Sequence, residues 1–336
     1  MNTPCRVLIV GVGSIGERHL RCFQSTGRVE TAFCEANPEL RQAIAERYAI
    51  SSSFDSFEAA LVSSPDLVVV ATPAPLHGPM ALAAVQAGAD VLIEKPLSIS
   101  QDGIEELAKV AQERKRIVGV AYVYRSHPSL EAMRSAIMTG RFGTPVEIVA
   151  TCGQHFPYYR PAYRSIYYRD RNLGGGAVQD ALTHIINAAE WLVGPVTQLV
   201  ADLDHLVLEG VAVEDTVHLL ARHGPVLACY SLNQHQAPNE LTITVICERG
   251  TARFEAHQNR WRWQTDPAAT WTEEPGEPLD RDALFIRQAN DFLTAIEQRK
   301  APRCTLQDGR QTLAVNLAIL RSAEQKSWIN VEEFLP

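Results

Sequence analysis

The chain has 336 residues, more than one ordinary domain needs, so two domains are expected. Its 46% hydrophobic and 21% charged residues describe an ordinary globular protein, and the net charge of −8 argues against a general nucleic-acid or membrane-surface role. No apolar run approaches the roughly 20 residues of a membrane span. Met1–Pro4 lacks the basic region of a signal peptide, and the seven cysteines, none in a CxxC pair, read as reduced core thiols of a cytoplasmic enzyme.

The first element is the most informative. Val7–Gly16, VLIVGVGSIG, runs four apolar residues straight into Gly-x-Gly-x-x-Gly. A buried parallel strand reads as such an apolar run, and here it must turn sharply into a helix. Gly11 takes the backbone angle of the turn, Gly13 lets a pyrophosphate approach, and Gly16 lets helix and strand pack closely. With Ser14 and Ile15 they form a helix N-terminus whose amides and dipole suit a phosphate. Val29–Cys34 reads as the next strand, and Glu35 follows it, 19 residues beyond Gly16. An acid there is expected on the adenosine ribose 2′-OH, which favours NAD over NADP; otherwise Glu35 simply opens the next helix.

Pro38 starts a helix to about Arg47, and Ser56 caps a short one. Leu67–Ala71 is a buried strand ending in Thr72–His77, and the helix Gly78–Ala87 follows. Val91–Ile93 ends in Glu94–Leu97; Ser100 then caps a helix to about Arg114, and Ile117–Ala121 is a strand. This βαβα alternation predicts a Rossmann-type, doubly wound parallel sheet over residues 1–121. Ligands bind outside the carboxyl ends of such strands. The candidate cofactor contacts are therefore Gly11, Gly13, Ser14, Ile15, Gly16, Glu35, Thr72, Pro73, His77, Glu94, Lys95 and Pro96. Lys95 stands out in a chain with 26 Arg and five Lys.

Residues 122–336 read differently. A helix about Ser129–Met138, a long strand Pro145–Cys152 and a loop-like Gln154–Leu173 precede a helix from Gly174–Gly176 to about Val193. Several partly alternating runs between Thr197 and Gln264 predict antiparallel strands, and two helices, about Asp282–Gln298 and Leu306–Lys326, end the chain. The expectation is an α+β domain on an open, mainly antiparallel sheet, its last helix able to pack back on the first domain, with a homodimer or homotetramer formed through the open face. Within GGGAVQDALTHIINAAEWLVG, Asp180 and His184 are four apart and share a helix face, with Asn187 close by. A carboxylate beside an imidazole suits a general base; a surface pair or a packed core histidine is the plainer alternative. A metal set of Asp180, His184 and His155 matches no recognised ligand pattern, and none is expected. The loop His155–Arg171 is rich in Tyr and Arg, and Tyr163 and Arg164 are candidate contacts for a substrate, or for a neighbouring subunit.

Taken together, these residues resemble the Gfo/Idh/MocA family of glucose–fructose oxidoreductase and inositol dehydrogenase-like enzymes. The resemblance spans nearly the whole chain: GVGSIG, ATPAPLHGPMALAAVQAGADVLIEKPLS, YRSHP at Tyr124–Pro128, the GGG-x₃-D-x₃-H element, and CTLQDGRQTL at Cys304–Leu313. It implies NAD(P) and the oxidation or reduction of a sugar or polyol. It implies that Lys95 holds the reacting hydroxyl, Asp180 orients the substrate and His184 is the acid/base, and it brings in Tyr124 and Arg125 as substrate contacts. Family members often carry Asp where this chain has Asn187, and the Arg-rich loop leans toward nucleotide sugars or other acidic sugars. A glycosidase or epimerase that keeps its NAD, and a NAD-binding sensor without catalysis, are the alternative readings.

Overall fold

A computed structural model describes residues 4–335. In chain order the elements are β1 (Cys5–Val10), α1 (Ser14–Ser25), β2 (Val29–Cys34), α2 (Pro38–Tyr48), β3 (Ser53–Phe54), α3 (Phe57–Val62), β4 (Leu67–Val70), α4 (His77–Gln86), β5 (Asp90–Ile93), α5 (Ile104–Glu113) and β6 (Val118–Val120). Then come α6 (Pro128–Met138), β7 (Pro145–Gly153), α7 (Phe156–Tyr159), α8 (Thr183–Val193), β8 (Gln198–Asp204), β9 (Thr216–His223), β10 (Val226–Asn233), β11 (Glu240–Cys247), β12 (Gly250–Glu255), β13 (Arg260–Gln264), β14 (Thr272–Pro275), α9 (Ala283–Gln298), α10 (Leu306–Gln325) and β15 (Ile329–Asn330).

The chain folds into two compact units. The first runs to Val123 and takes in Asp280–Arg310; the second holds Tyr124–Leu279 and the chain from Gln311. Sequence reasoning divides the chain once, after residue 121, and so does not send Asp280–Arg310 back to the first unit. That return has a physical reason. β6 is an edge strand, and an edge exposes unpaired backbone groups. The Val120 amide donates to the Cys304 carbonyl, and a Cβ on Gly119 would lie 2.7 Å from Phe292 Cε2, so the returning segment covers that edge. Arg21 grips Asp282 at 2.5 and 2.8 Å.

In the first unit six parallel strands run in the order β3-β2-β1-β4-β5-β6. The order reverses between β1 and β4, so the loops after these strands flank the crevice of a doubly wound sheet. The central strands β1, β4 and β5 are buried on both faces, as their unbroken apolar runs require. Ser56 caps α3 through the Ala59 amide at 3.3 Å, and Asn37 rather than Glu35 caps α2. The expected helix from Ser100 starts only at Ile104. Gly103, at φ 73, breaks the chain just before it, and Ser100 Oγ bonds the Asp102 carboxylate instead of a helix amide.

In the second unit nine strands run β14-β13-β12-β11-β7-β10-β9-β8-β15. The sheet is mixed: β7 pairs parallel with β10 and antiparallel with β11. β9 and β10 alternate strictly in burial. The inner face packs on residues of α6, α8 and α10, among them Leu130, Met133, Ile186, Leu192, Val315 and Ile319. The outer face leaves Leu220 and Leu227 exposed. Two short outer strands, β14 and β15, escape sequence reading because four and two residues carry no periodicity.

Two differences shape the site. Residues 154–173 are not coil but a chain of short helical turns wound around Phe156, Tyr163, Tyr168, Leu208 and Val213. The expected single helix to Val193 opens instead as one π-helical turn, Val178–Leu182, before α8.

Candidate active site

The candidate cofactor residues lie at the carboxyl ends of β1, β2, β4 and β5. Gly11 has φ +79, and a Cβ there would lie 3.0 Å from the Ala71 carbonyl oxygen. A Cβ on Gly16 would fall 1.8 Å from the Gly11 oxygen, so only glycine allows α1 to start there. Gly13 is exposed, with open space where a Cβ would stand. The first amides of α1, at Ser14, Ile15 and Gly16, begin a helix that no side chain caps. A helix start leaves such amides without intrahelical acceptors, which suits a pyrophosphate. Glu35 stands at the end of β2. Its Oε2 accepts the Val12 amide at 3.1 Å and its Oε1 the Asn37 amide at 3.0 Å. The carboxylate thus sits against the glycine loop, where a ribose diol beside that loop would meet it. These residues fit a dinucleotide.

After β4, Thr72 is half-buried and Pro73 exposed. After β5, Lys95 is half-buried and joined by a cis bond to buried Pro96. His77 and Glu94 depart from expectation. Both side chains are buried and used internally: His77 on the Pro96 and Thr72 carbonyls, Glu94 on His19 and the Lys95 amide. They shape the loops rather than face a ligand directly.

The second unit carries the Asp180–His184 pair. Asp180, 2% exposed, sits within the π turn, and half-buried His184 lies one turn on, in α8. π turns widen a helix by one residue and recur at functional sites. Tyr167 donates to Asp180 Oδ1 at 2.5 Å, and Arg160 Nη1 lies 3.5 Å from Oδ2. The Tyr124 ring meets His184 edge-on, centroids 5.7 Å apart, and burial pushes the Tyr124 phenol pKa up, so the phenol stays protonated.

The glycines explain how Tyr167 reaches Asp180. A Cβ on Gly175 would lie 2.2 Å from the Tyr168 oxygen and 2.6 Å from the Tyr167 oxygen, so the loop backbone lies directly on them. Gly176, at φ +89, leaves room for the Glu214 carboxylate, which accepts the Val178 amide at 3.1 Å and caps the helix start. Arg171 neutralises Glu214 at 2.6 Å.

Three expected contacts move elsewhere. Tyr163 is buried, with its hydroxyl on the Glu209 carbonyl, and Arg164 joins the same carbonyl and the Glu209 carboxylate. They staple two loops together. Arg125 is buried, its Nε on Asn187 Oδ1 at 2.8 Å and its guanidinium beside the Trp191 ring. Asn187 in turn donates to Thr312 at 3.0 Å, so its amide joins a buried hydrogen-bond network. Arg160 and Tyr167 were missed. Their signal was adjacency to the glycines, because a loop seated on Gly175 puts its side chains over the helix start. Among the described residues no group of three or more His, Cys, Asp or Glu is arranged to hold a metal ion.

Two models of one family match the chain. One, an oxidoreductase family with an NAD-binding Rossmann fold, spans residues 5–122; the other, the GFO/IDH/MocA C-terminal domain, spans 130–253. The chain belongs to the Gfo/Idh/MocA oxidoreductase family. Its first unit is the family's NAD-binding domain. This oxidoreductase is 24% identical to a levoglucosan dehydrogenase of Pseudarthrobacter phenanthrenivorans, over 97% of each chain. It is 28% identical to a 1,5-anhydro-D-fructose reductase of Ensifer adhaerens, over 94% of this chain and 95% of that one. A solved levoglucosan dehydrogenase in complex with NADH and levoglucosan superposes with a TM-score of 0.89 at 22% identity, over 98% of this chain and 100% of that one, and shows the same fold.

Proposed function

We propose that the protein transfers a hydride between NAD(H) and a secondary hydroxyl or ketone of an uncharged sugar or polyol, with His184 as the acid/base. The observation that carries this is the Tyr167–Asp180–Arg160 cluster one helical turn from half-buried His184. NAD, when bound, supplies the nicotinamide carbon that accepts the hydride. His184 takes the hydroxyl proton as the carbinol C–H bond breaks and the C=O forms. The Lys95 ammonium stabilises negative charge developing on that oxygen. Asp180, held by Tyr167 and Arg160, fixes the orientation of the substrate.

The Arg-rich loop supports an uncharged substrate over the acidic sugars its composition suggested. Arg160, Arg164 and Arg171 each face a carboxylate, Asp180, Glu209 and Glu214. Their charge is balanced within the protein. The outer face of the nine-stranded sheet, with Leu220 and Leu227 exposed, is where a second copy would pack to give a homodimer or homotetramer. The seven cysteines form no disulfide, in keeping with a reducing cytoplasm. Among the described residues no helix is long and apolar enough to cross a membrane.

Absorbance at the NADH band tests the reading. Purified protein and NAD are mixed with anhydrosugars, inositols, simple glycosides and nucleotide sugars. NADH should form with a neutral sugar, and His184→Ala should slow it by about 10²–10⁴-fold while NAD binding persists. Turnover with no net NADH would instead favour a glycosidase or epimerase that keeps its cofactor. NAD binding without any turnover would favour a sensor.

A further inference from the structure

Two buried histidines of the first unit play no part in the chemistry above, and both lead to Lys95. His19, on α1, is 1% exposed, and its Nε2 lies 2.6 Å from Glu94 Oε1. Glu94 is 4% exposed, and its other oxygen accepts the Lys95 backbone amide at 3.0 Å. The imidazole and that amide, with the Lys95 charge, hold the Glu94 carboxylate ionised against the opposing cost of burial. His77 opens α4 and is also 1% exposed. Its Nδ1 lies 2.8 Å from the Pro96 carbonyl oxygen and its Nε2 2.8 Å from that of Thr72.

We propose that His19–Glu94 and His77 form a two-sided clamp that fixes the backbone of Lys95, and with it the reach of the lysine ammonium. The clamp rests on the reading of Lys95 as the group that stabilises the reacting oxygen. One jaw holds the amide entering Lys95; the other holds the carbonyl of the residue after it. The first jaw is anchored in α1, the helix whose N-terminus offers the pyrophosphate site. The second is anchored in the loop after β4. Water cannot replace these bonds, because the three side chains are buried, and a buried carboxylate stripped of its partner is costly. These are positioning residues: they touch neither substrate nor cofactor and act through Lys95.

The chain has five lysines, Lys95, Lys109, Lys115, Lys300 and Lys326, so the last four serve as internal references. The test is peptide-resolved reductive methylation of the whole protein, with steady-state turnover on the neutral sugar found above. His19→Leu removes one jaw; His19→Gln keeps a donor for Glu94 and retains the fold if His19→Leu does not. His77→Gln replaces the rigid ring set between the Pro96 and Thr72 carbonyls with a flexible amide. His19→Leu and His77→Gln should raise the Lys95 labelling rate severalfold over the reference lysines. Both should lower kcat by up to about 10²-fold, with NADH affinity unchanged, and His19→Gln should restore much of the loss. In a Lys95→Met background the same substitutions should cost little further, since they act through the lysine. Unchanged Lys95 labelling in the folded variants, or an equal kcat loss with and without Lys95, would overturn the clamp. Wild-type turnover of Lys95→Met would instead overturn the role given to Lys95, while the labelling rates still judge the clamp.

Discussion

Tyr167 donates its phenol proton to Asp180 across 2.5 Å, from a loop seated on Gly175. Asp180 is nearly inaccessible to solvent, so this bond and the nearby Arg160 guanidinium help hold its charge in place. A hydrogen bond to a buried carboxylate contributes about 1.5–3 kcal/mol. Tyr167→Phe should therefore lower kcat/KM by roughly tenfold or more, with NADH affinity unchanged. Full activity in this variant would show that Asp180 does not need the phenol.

Much of this was readable in the sequence, and what was not has physical causes. VLIVGVGSIG announces itself because a parallel strand buried on both faces must be apolar throughout, and the turn after it leaves no room for a Cβ at Gly11 or Gly16. That Asp180 and His184 lie one helical turn apart was legible from their spacing, but the π turn between them was not, since an inserted residue leaves the apolar pattern nearly unchanged. The Tyr/Arg loop was misjudged in detail. Its composition singles it out, yet composition cannot show that Tyr163 points into a core while Tyr167 points at Asp180. Nor could it show that Glu209 and Glu214, more than 40 residues away, neutralise Arg164 and Arg171. Long-range pairs leave no local signal.

Glu35 bonds the Val12 amide and so ties to the glycine loop the carboxylate proposed to meet the ribose. Removing it takes away both an acceptor for the ribose hydroxyls and the charge that repels a 2′-phosphate. Glu35→Ala should weaken NAD binding by about tenfold and narrow the preference over NADP, measured by titration with each cofactor. An unaltered preference would leave Glu35 as a loop brace only.

Glu190 is buried in the second unit. Burial pushes its carboxyl up to about 7, against hydrogen bonds from Thr312 at 2.7 Å and the Val196 amide and the charge of Arg125. A carboxyl with a raised folded-state pKa makes the native state bind more protons than the unfolded one. Its contribution is therefore fully present below about pH 4.5, where both states are protonated. The contribution falls as pH rises to about 7 and is gone above that, a loss on the order of 3 kcal/mol. Glu190→Gln should flatten this part of the stability–pH curve and raise the melting temperature at pH 8 more than at pH 5. An equal change at both values would contradict a raised Glu190.

Gly176 combines φ +89 with the Glu214 carboxylate 2.4 Å from where a Cβ would stand. Gly176→Ala must move Glu214 off the Val178 amide and strain the backbone, at a cost of about 1–3 kcal/mol. The melting temperature should fall, and turnover should fall further than stability alone explains, because Asp180 lies on the turn that Glu214 caps. A stable, fully active variant would remove Glu214 from the account of the site.

Hydride is proposed to pass directly from a carbinol carbon to NAD, with His184 taking the proton. This transfer is tested most directly with a neutral sugar carrying deuterium at the carbinol carbon it loses. The NADH formed is then weighed by mass spectrometry, for wild-type protein and for His184→Ala. The account predicts NADH heavier by one deuterium from the wild-type, formed far more slowly by the variant. Unlabelled NADH, or a sugar product formed with no net NADH, would contradict it.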